Sequence, residues 1–361
     1  MGSALSLNKS SLGRIPATMQ EILIIGAGMA ATALAKSLAG EARLTIVEKS
    51  RGMGGRMSTR RSDEFQFDHG AQFLTARSEE FKEFTTQACD QGWLAPWEPR
   101  VTTLEVGAAS YKREWFEPHC VATPSMNGLC KAQLRALETS FGERLKIELG
   151  TQVARIERDD SGRWKVFDSL GNCLGSFDSV ISTAPPRQTE ALFQDCGFAE
   201  SSQLALAQHL PCFSLMLGFD SDLELPFDLA VVKNSCVALI ANDGTKPGRH
   251  SARSLLIHAD NEWARAHLED PAEQVEETLL NETLKLTELS EPAISYRSLH
   301  RWRYAKTETA LERDFLLDSA SGLAACGDWC LGGTVESAYL SGYRLGDALL
   351  RTLAQRVEPA R

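Results

Sequence analysis

A chain of 361 residues with 43% hydrophobic composition can bury a sizeable core and divide into two or three domain-sized units. Its formal net charge of −10 opposes nucleic acid as a general partner, because a phosphate-neutralising face would have to be assembled against the overall field. No apolar run approaches the roughly 18 residues of a membrane span, and no repeat with a period of roughly 20 to 50 residues is visible, which excludes membrane-spanning and solenoid classes.

Residues 1–19 are Ser-rich, carry Lys9 and Arg14 and contain no acid, but they lack the apolar core of a secretory signal. They read as a disordered tail, with an organelle-targeting remnant, a cloning remnant or a start at Met19 as alternatives. Met1, Gly2 and Ser6 match the myristoylation pattern, which is short enough to arise by chance. An apolar strand over 21–25 then turns through Gly26-Ala27-Gly28 into an alanine-rich helix over 29–39, and a strand over 44–47 ends at Glu48. This is the opening βαβ of a nucleotide-binding fold.

Phe65 and Phe67 alternate with polar residues and lead into the turn Asp68-His69-Gly70. A helix is predicted over 78–89, broken by the Pro- and Trp-rich run 93–99, and another over 126–137 after Pro124. Strands at 145–156, 163–167 and 180–183 read as a β-meander inserted in the nucleotide-binding unit. Strands at 213–219, 231–240 and 254–258 and a helix near 271–286 suggest a substrate-binding unit. The chain closes with strands at 300–304 and 323–326, a glycine turn and a helix over 335–353 that Thr334 can cap. Residues 20–77, 120–200 and 299–355 are assigned to a discontinuous nucleotide-binding domain, and 78–119 and 201–298 to a smaller α+β substrate domain.

Three glycine-rich segments carry the chemistry. In Gly26-x-Gly28-x-x-Ala31 the backbone can approach a pyrophosphate held at a helix N-terminus, and Glu48, twenty residues past Gly28, can accept from ribose hydroxyls. The second segment, Arg51-Gly52-Met53-Gly54-Gly55-Arg56-Met57-Ser58, adds a glycine doublet and an arginine able to offset phosphate charge. The third, Cys326-Gly327-Asp328 followed by Gly332-Gly333 and a helix, places a carboxylate near a ribityl or phosphate group and aims a helix N-terminus at a ring. Together the three read as one FAD cradle. The nine cysteines include an odd one and form no spaced metal pairs, so no metal is expected, and a reducing, cytoplasmic setting fits better than a disulfide framework.

These segments, together with Asp68-His69-Gly70-Ala71-Gln72-Phe73-Leu74-Thr75-Ala76-Arg77, His300-Arg301-Trp302-Arg303-Tyr304-Ala305 and Cys326-Gly327-Asp328-Trp329-Cys330-Leu331 through Val335-Glu336-Ser337-Ala338, resemble the glycine-doublet flavoproteins. That superfamily includes the flavin-containing amine oxidases, and the similarity is closest to its renalase-like members, over about 19–350. The resemblance implies an α/β fold, a Rossmann-type FAD-binding domain with an inserted β-meander beside the substrate domain. It implies non-covalent FAD, with Cys326 or Cys330 as the alternative attachment points. The expected cofactor contacts are Gly26, Gly28, Met29, Ala30, Glu48, Lys49, Gly55, Arg56, Gln72, Phe73, Val153, Gly327, Asp328 and Val335. The substrate pocket is expected at Phe73, Leu74, Thr75, Ala76, Arg77, Cys212, His258, Trp302, Tyr304 and Trp329. Cys212 and Thr334 depart from the threonine and arginine usual in bacterial members.

Several of these residues admit two readings. His300, Trp302 and Tyr304 share one face of a strand, either sandwiching a flat ring or packing as core. His258 is either a satisfied core histidine or a substrate contact, and Arg77 either binds an anionic substrate group or forms a structural ion pair. Lys246 and Arg249 flank Pro247-Gly248 in what reads as a solvated loop. With one G-x-G-x-x-A motif and no second βαβ unit, a dihydronicotinamide is expected to bind at the flavin as substrate rather than in a domain of its own. The resemblance implies an oxidase that returns the 2- or 6-dihydro isomers of NAD(P) to NAD(P)⁺ with O₂ as acceptor and H₂O₂ as product, with no protein acid or base required. A flavin amine oxidase or desaturase, with Lys306 near the ring, and an FAD-binding redox sensor are the alternatives. The partners are then small molecules, in a monomer or homodimer.

Overall fold

The computed structural model describes residues 19–62, 64–114, 117–249, 253–289 and 293–357. The readings of the N-terminal tail and of the myristoylation pattern fall on residues outside these. At the centre lies a six-stranded sheet in the order Leu316–Asp318, Leu323–Ala325, Ser179–Ser182, Glu21–Ile25, Arg43–Glu48, Leu145–Leu149, parallel except at its first strand. The run Glu-Ile-Leu-Ile-Ile can occupy a central position because a parallel sheet is covered on both faces, and Ile22, Leu23 and Ile24 are indeed buried.

Helix Met29–Leu38 covers one face and is itself covered by the C-terminal helix Val335–Val357. The two helices meet at bare backbone. A Cβ at Gly342 would stand 2.0 Å from the Ala30 carbonyl oxygen, and one at Gly346 would stand 2.5 Å from Ser37 Cβ. This Gly-x-x-x-Gly spacing brings the C-terminal helix down beside the glycine turn that opens the first helix.

The predicted meander is corrected in its membership. The run 145–156 is two strands: Leu145–Leu149 joins the parallel sheet beside Arg43–Glu48, and after Gly150 the chain enters a separate antiparallel sheet. That sheet comprises Val153–Arg158, Trp164–Asp168 and Cys173–Phe177. The strand near 180 lies in the parallel sheet, paired with Glu21–Ile25. Cys173–Phe177 was missed because its Cys-Leu-Gly-Ser-Phe sequence has weak strand propensity, and pairing with Trp164–Asp168 overrides it.

The second large sheet has seven strands in the order Ile294–Thr309, Gln208–Phe219, Ser254–Ala259, Val237–Asn242, Leu229–Lys233, Val101–Glu105, Tyr111–Lys112. The predicted single strand 231–240 is a hairpin that turns at Asn234, which has φ of 56°. The run at 93–99 contains a strand, Leu94–Trp97, paired with His119–Ala122. Pro96 is tolerated there because the ribbon has only two strands. Residues 299–309, expected with the nucleotide-binding unit, pair with Gln208–Phe219 in the seven-stranded sheet.

Alternation along Gln208–Phe219 divides the molecule. Phe213, Leu215, Leu217 and Phe219 pack on Val275, Leu279 and Leu280 of helix Ala272–Thr287, whereas Cys212 and Ser214 face the nucleotide-binding side. A large cavity runs between the two layers. The helix contact gives a test of the architecture: Gly342→Ala gains about 1 kcal/mol of helix propensity but forces a methyl into the Ala30 carbonyl, so we predict a net loss of about 2 kcal/mol in chemical denaturation.

Candidate active site

The cavity, about 1540 Å³, lies outside the carboxyl ends of the parallel strands, where ligands bind in open α/β sheets. Its first end is built from the glycine segments. Gly28 caps helix Met29–Leu38 without a side-chain hydrogen bond, so the first-turn N–H groups stay open to the cavity. The Gly54 N–H donates to the Ala27 carbonyl at 2.8 Å, which clamps the doublet beside the first turn. Gly54 has φ of 119°, and a Cβ there would stand 2.8 Å from Asn127 Cβ, so both conformation and space demand glycine. At Gly28 and Gly52 a Cβ would meet nothing closer than 3.9 Å, which leaves bare backbone facing the open space.

Glu48 is buried beside this turn. Its Oε2 accepts from the Ala27 N–H at 2.9 Å and its Oε1 from the Ser50 N–H at 2.8 Å, leaving lone pairs on both oxygens for a diol. Lys49, which donates to Gln188 Oε1 at 3.1 Å, and Val153 line the same mouth. Gly26, Met29, Ala30, Gly55, Gly327 and Val335 also line the cavity. An uncapped helix N-terminus, a bare glycine wall and a buried carboxylate at this spacing suit the pyrophosphate and ribose of an adenine dinucleotide.

Arg56 and Asp328, expected as separate cofactor contacts, are partners. Arg56 Nη1 donates to Asp328 Oδ2 at 2.9 Å, and its Nη2 bonds Asp328 Oδ1, closing a bidentate pair across 272 residues. Thr307 Oγ1 donates to Asp328 Oδ2 at 3.1 Å, and the N–H groups of Gly332 and Gly333 donate to the Asp328 carbonyl. One ion pair therefore ties the second glycine segment to the third and to the long strand Ile294–Thr309.

The other end of the cavity lies against the seven-stranded sheet. Phe73, Leu74, Thr75, Cys212, His258, Trp302 and Tyr304 line it, joined by His300, which shares the strand face of Trp302 and Tyr304, and by His69 and Arg60, which lie outside the expected contacts. The His69 carbonyl accepts from Ser214 Oγ at 2.8 Å and Trp302 Nε1 at 2.9 Å, with His258 Nε2 at 3.4 Å. The His69 and Trp302 rings stack at 5.2 Å, and His300 meets both edge-on, at 4.9 Å from His69 and 4.4 Å from Trp302. Arg301 and Arg303 alternate to the far face and pair with Glu269. Burial holds the imidazoles of His69, His258 and His300 down to about 4, with His300 and Arg60 adding to the effect at His69, and Arg60 at His300. Burial pushes the Cys212 thiol up to about 12. This wall is aromatic and, at neutral pH, free of imidazolium and thiolate.

Four expected contacts lie elsewhere. Trp329 is fully buried and donates to the Ala184 carbonyl at 3.2 Å, so it packs behind the wall. Arg77 points to solvent in a bidentate pair with Glu117, at 3.0 and 2.9 Å, the ion pair of its two readings. Ala76 packs into the neighbouring core. The Gln72 side chain turns inward, donating to the Gly70 carbonyl at 2.9 Å and accepting from Lys246 Nζ at 3.0 Å.

Lys246 and Arg249 are likewise not solvated. Lys246 Nζ stands 2.5 Å from Asp243 Oδ1 and 3.4 Å from Asp68 Oδ2, and Arg249 Nη2 is 2.5 Å from Asp68 Oδ2. Burial alone would raise the Asp68 carboxyl, but Lys246 and Arg249 hold it below its usual range, whereas burial pushes Asp243 up. A Lys-Pro-Gly-Arg turn carries no sign of Asp68, which lies 178 residues from Lys246.

Fold and site together define a dinucleotide-binding flavoprotein. The model of an NAD(P)-binding Rossmann-like domain matches residues 24–88, and that of the flavin containing amine oxidoreductases matches 107–350, well over half the chain. The chain belongs to the flavin-containing amine oxidoreductase family, and FAD is its cofactor. Its fold is similar to that of a provisionally assigned protoporphyrinogen oxidase from Exiguobacterium, with a TM-score of 0.72 at 13% identity over 93% of this chain and 99% of that one. It is also similar to a putrescine oxidase solved with putrescine (0.67, 11%, over 92% and 99%) and to an oxidoreductase from Methanosarcina mazei (0.68, 13%, over 91% and 100%). Among the described residues no helix is long and apolar enough to cross a membrane, and no group of acidic, His and Cys side chains could hold a metal ion.

Two measurements test this geometry. Asp328→Asn leaves Arg56 without its counter-charge, and because Arg56 is 31% exposed the expected loss is about 2 kcal/mol rather than the larger cost of a fully buried pair. Reduced flavin retention on gel filtration and a lower Tm should report it. The five depressed imidazoles, His209 and His119 included, refuse protons that the unfolded chain accepts below about 6.5. Stability should therefore fall as pH drops from 6.5 to 4. Asp243 acts in the opposite direction, as one carboxyl against five imidazoles. Thermal melts across this range should show the decline, and His300→Gln should make it shallower.

Proposed function

We propose that the chain is an oxidase of isomeric dihydronicotinamides, the 2- or 6-dihydro forms of NAD(P), which it converts to NAD(P)⁺ with O₂ as final acceptor. FAD, when bound, supplies the two-electron acceptor between substrate and O₂. The balance closes as one C–H bond broken in the dihydropyridine ring, two electrons moved to O₂, and one proton taken from solvent to complete H₂O₂.

The observation that carries this reading is the charge of the substrate wall. Among the described residues lining the cavity the acids are Glu48, Asp328 and Glu336. All three are engaged: Glu48 by the turn N–H groups, Asp328 by Arg56, and Glu336 by the N–H groups of Arg77 and Ser78. The sheet end offers Arg60, neutral imidazoles and the Trp302 and Tyr304 rings. Such a wall suits a flat, neutral ring on a polar or anionic body and gives an ammonium no counter-charge. Trp302 is held by the His69 carbonyl and stacks on the His69 ring, so it presents a rigid flat surface. Positioning and exclusion of water then suffice, and no protein base is needed. Cys326 and Cys330 are fully buried with their thiols pushed up by burial, Cys330 to about 12, which supports non-covalent FAD.

Anaerobic mixing of the holoenzyme with each substrate class tests the reading. The 2- and 6-dihydro isomers should bleach the yellow protein within one turnover, and in air each NAD(P)⁺ formed should appear with one H₂O₂. Bleaching by putrescine or other primary amines instead would establish an amine oxidase, with Lys306, which also lines the cavity, as a candidate residue. A flavin that yields only to strong chemical reductant would establish a redox sensor. Trp302→Ala should raise the half-saturation concentration about threefold to tenfold by removing the stacking surface.

A further inference from the structure

Arg60 belongs to none of the three glycine segments, yet it lines the cavity at its sheet end. It sits half-buried on the short strand Arg60–Arg61, whose hairpin partner Gln66–Phe67 runs directly into His69. Its Nη1 donates to Ser298 Oγ at 2.9 Å, and among the described residues it has no carboxylate partner. A guanidinium has five N–H donors in a rigid fork, so most of its capacity is unused. This sets it apart from Arg56, whose fork is closed by Asp328.

A ring nitrogen near Arg60 is also unsatisfied. His69 is 6% exposed, and its Nδ1 has no hydrogen-bond partner although the residue lines the cavity. An imidazole can meet an acceptor there as the Nδ1–H tautomer. His300 lies 4.9 Å from His69, ring to ring, and Arg60 depresses the proton affinity of both rings, as a cation sharing their space must. A half-buried cation with an open fork, beside a buried ring nitrogen without a partner, is an incomplete constellation, and what completes it is negative.

The cofactor's own phosphates are not that missing charge. Arg56 reaches the long strand at the Ala305 carbonyl, and Arg60 reaches the same strand at Ser298, seven residues earlier. At about 3.3 Å per residue this places the points where the two side chains meet the strand roughly 20 Å apart, so the two guanidinium groups diverge. The pyrophosphate cradle of Gly26–Gly28 and the doublet lies on the Arg56 side.

We infer that Arg60, with Ser298, His300 and the Nδ1 edge of His69, forms a seat for an anionic oxygen group of the substrate, a phosphate or a carboxylate. This inference deepens the dihydronicotinamide reading and rests on it only in taking this wall as the substrate's. On that reading the group is a phosphate of the nucleotide body, held while the reduced ring lies against Trp302. The seat acts in binding and orientation, and no bond is made or broken at it.

Two experiments on the holoenzyme separate this inference from the reading beneath it. Calorimetric titration of the oxidised enzyme with inorganic pyrophosphate, and separately with acetate, measures the seat without turnover. Saturable binding of at least one anion is expected, weakened about 10- to 100-fold in Arg60→Gln and largely kept in Arg60→Lys, with flavin content unchanged in both variants. Binding of pyrophosphate assigns a phosphate seat, and binding of acetate alone assigns a carboxylate seat. Equal binding in wild type and Arg60→Gln, or no saturable binding of either anion, overturns the inference.

Anaerobic reduction is then followed with the dihydronicotinamide riboside, mononucleotide and dinucleotide. Arg60→Gln should raise the half-saturation concentration for the two phosphate-bearing compounds relative to the riboside. An equal rise for all three would mark Arg60 as a purely structural residue and overturn the seat. If none of the three bleaches the wild-type flavin, the dihydronicotinamide reading fails, and the titration alone decides the seat.

Discussion

The bidentate pair between Arg56 and Asp328 is the contact through which the parts of this molecule are joined. Arg56 follows the glycine doublet, Asp328 follows the last strand of the parallel sheet, and the carboxylate also receives Thr307 from the seven-stranded sheet. Three chain segments that are remote in sequence therefore meet at one carboxyl group. The pair leaves Arg56 about one-third exposed and Asp328 buried, an asymmetric arrangement in which each charge sustains the other. It also means that Arg56 does not face phosphate as an isolated cation. The cradle's attraction for a dinucleotide therefore comes chiefly from backbone N–H groups and the dipole of the first helix.

A second organising contact is the His69 carbonyl. It collects Ser214 and Trp302 from two adjacent strands of the seven-stranded sheet, with His258 from a third. That convergence fixes the turn Asp68-His69-Gly70 against the sheet and orients the aromatic wall. Behind the turn, Asp68 accepts from the Met126 N–H and Thr59 Oγ1 while pairing with Lys246 and Arg249. Asp243 accepts from the Asp68 N–H at 2.7 Å and pairs with Lys246. Two acids and two bases thus neutralise one another in the interior. Such a cluster adds little net stability over an apolar core, but removing any single member leaves an unpaired buried charge. Its effect is to hold the turn in one position, and with it Gln72 and the neighbouring Phe73.

The division of labour across the cavity follows from these two anchors. One end is polar backbone and engaged carboxylates, suited to a nucleotide body. The other is aromatic and, among the described residues, lacks a free acid and carries one arginine without a carboxylate partner. Buried imidazoles that stay neutral keep that second end nearly constant in charge over the physiological range, so the electrostatics there are set by Arg60 rather than by histidine titration.

The sequence by itself determined the βαβ opening, the glycine doublet, the capped C-terminal helix and the alternation of residues 300–304, because each depends on neighbours within a few residues. Glycine turns, apolar periodicity and a Thr334 cap, confirmed by its bond from the Ser337 N–H, are local physics. Only the tertiary structure decided which strands entered which sheet. Leu145–Leu149 and Ser179–Ser182 look like meander strands until their pairing partners are known, and Cys173–Phe177 becomes a strand only through its partner. Tertiary structure alone also decided the fate of the charged residues. Arg77 was drawn outward to Glu117, Lys246 and Arg249 inward to Asp68 and Asp243, and Arg60 was left without an acid among the described residues. A charge is assigned to solvent, structure or ligand by what stands within about 4 Å of it, and that distance is set by chain segments often more than a hundred residues apart.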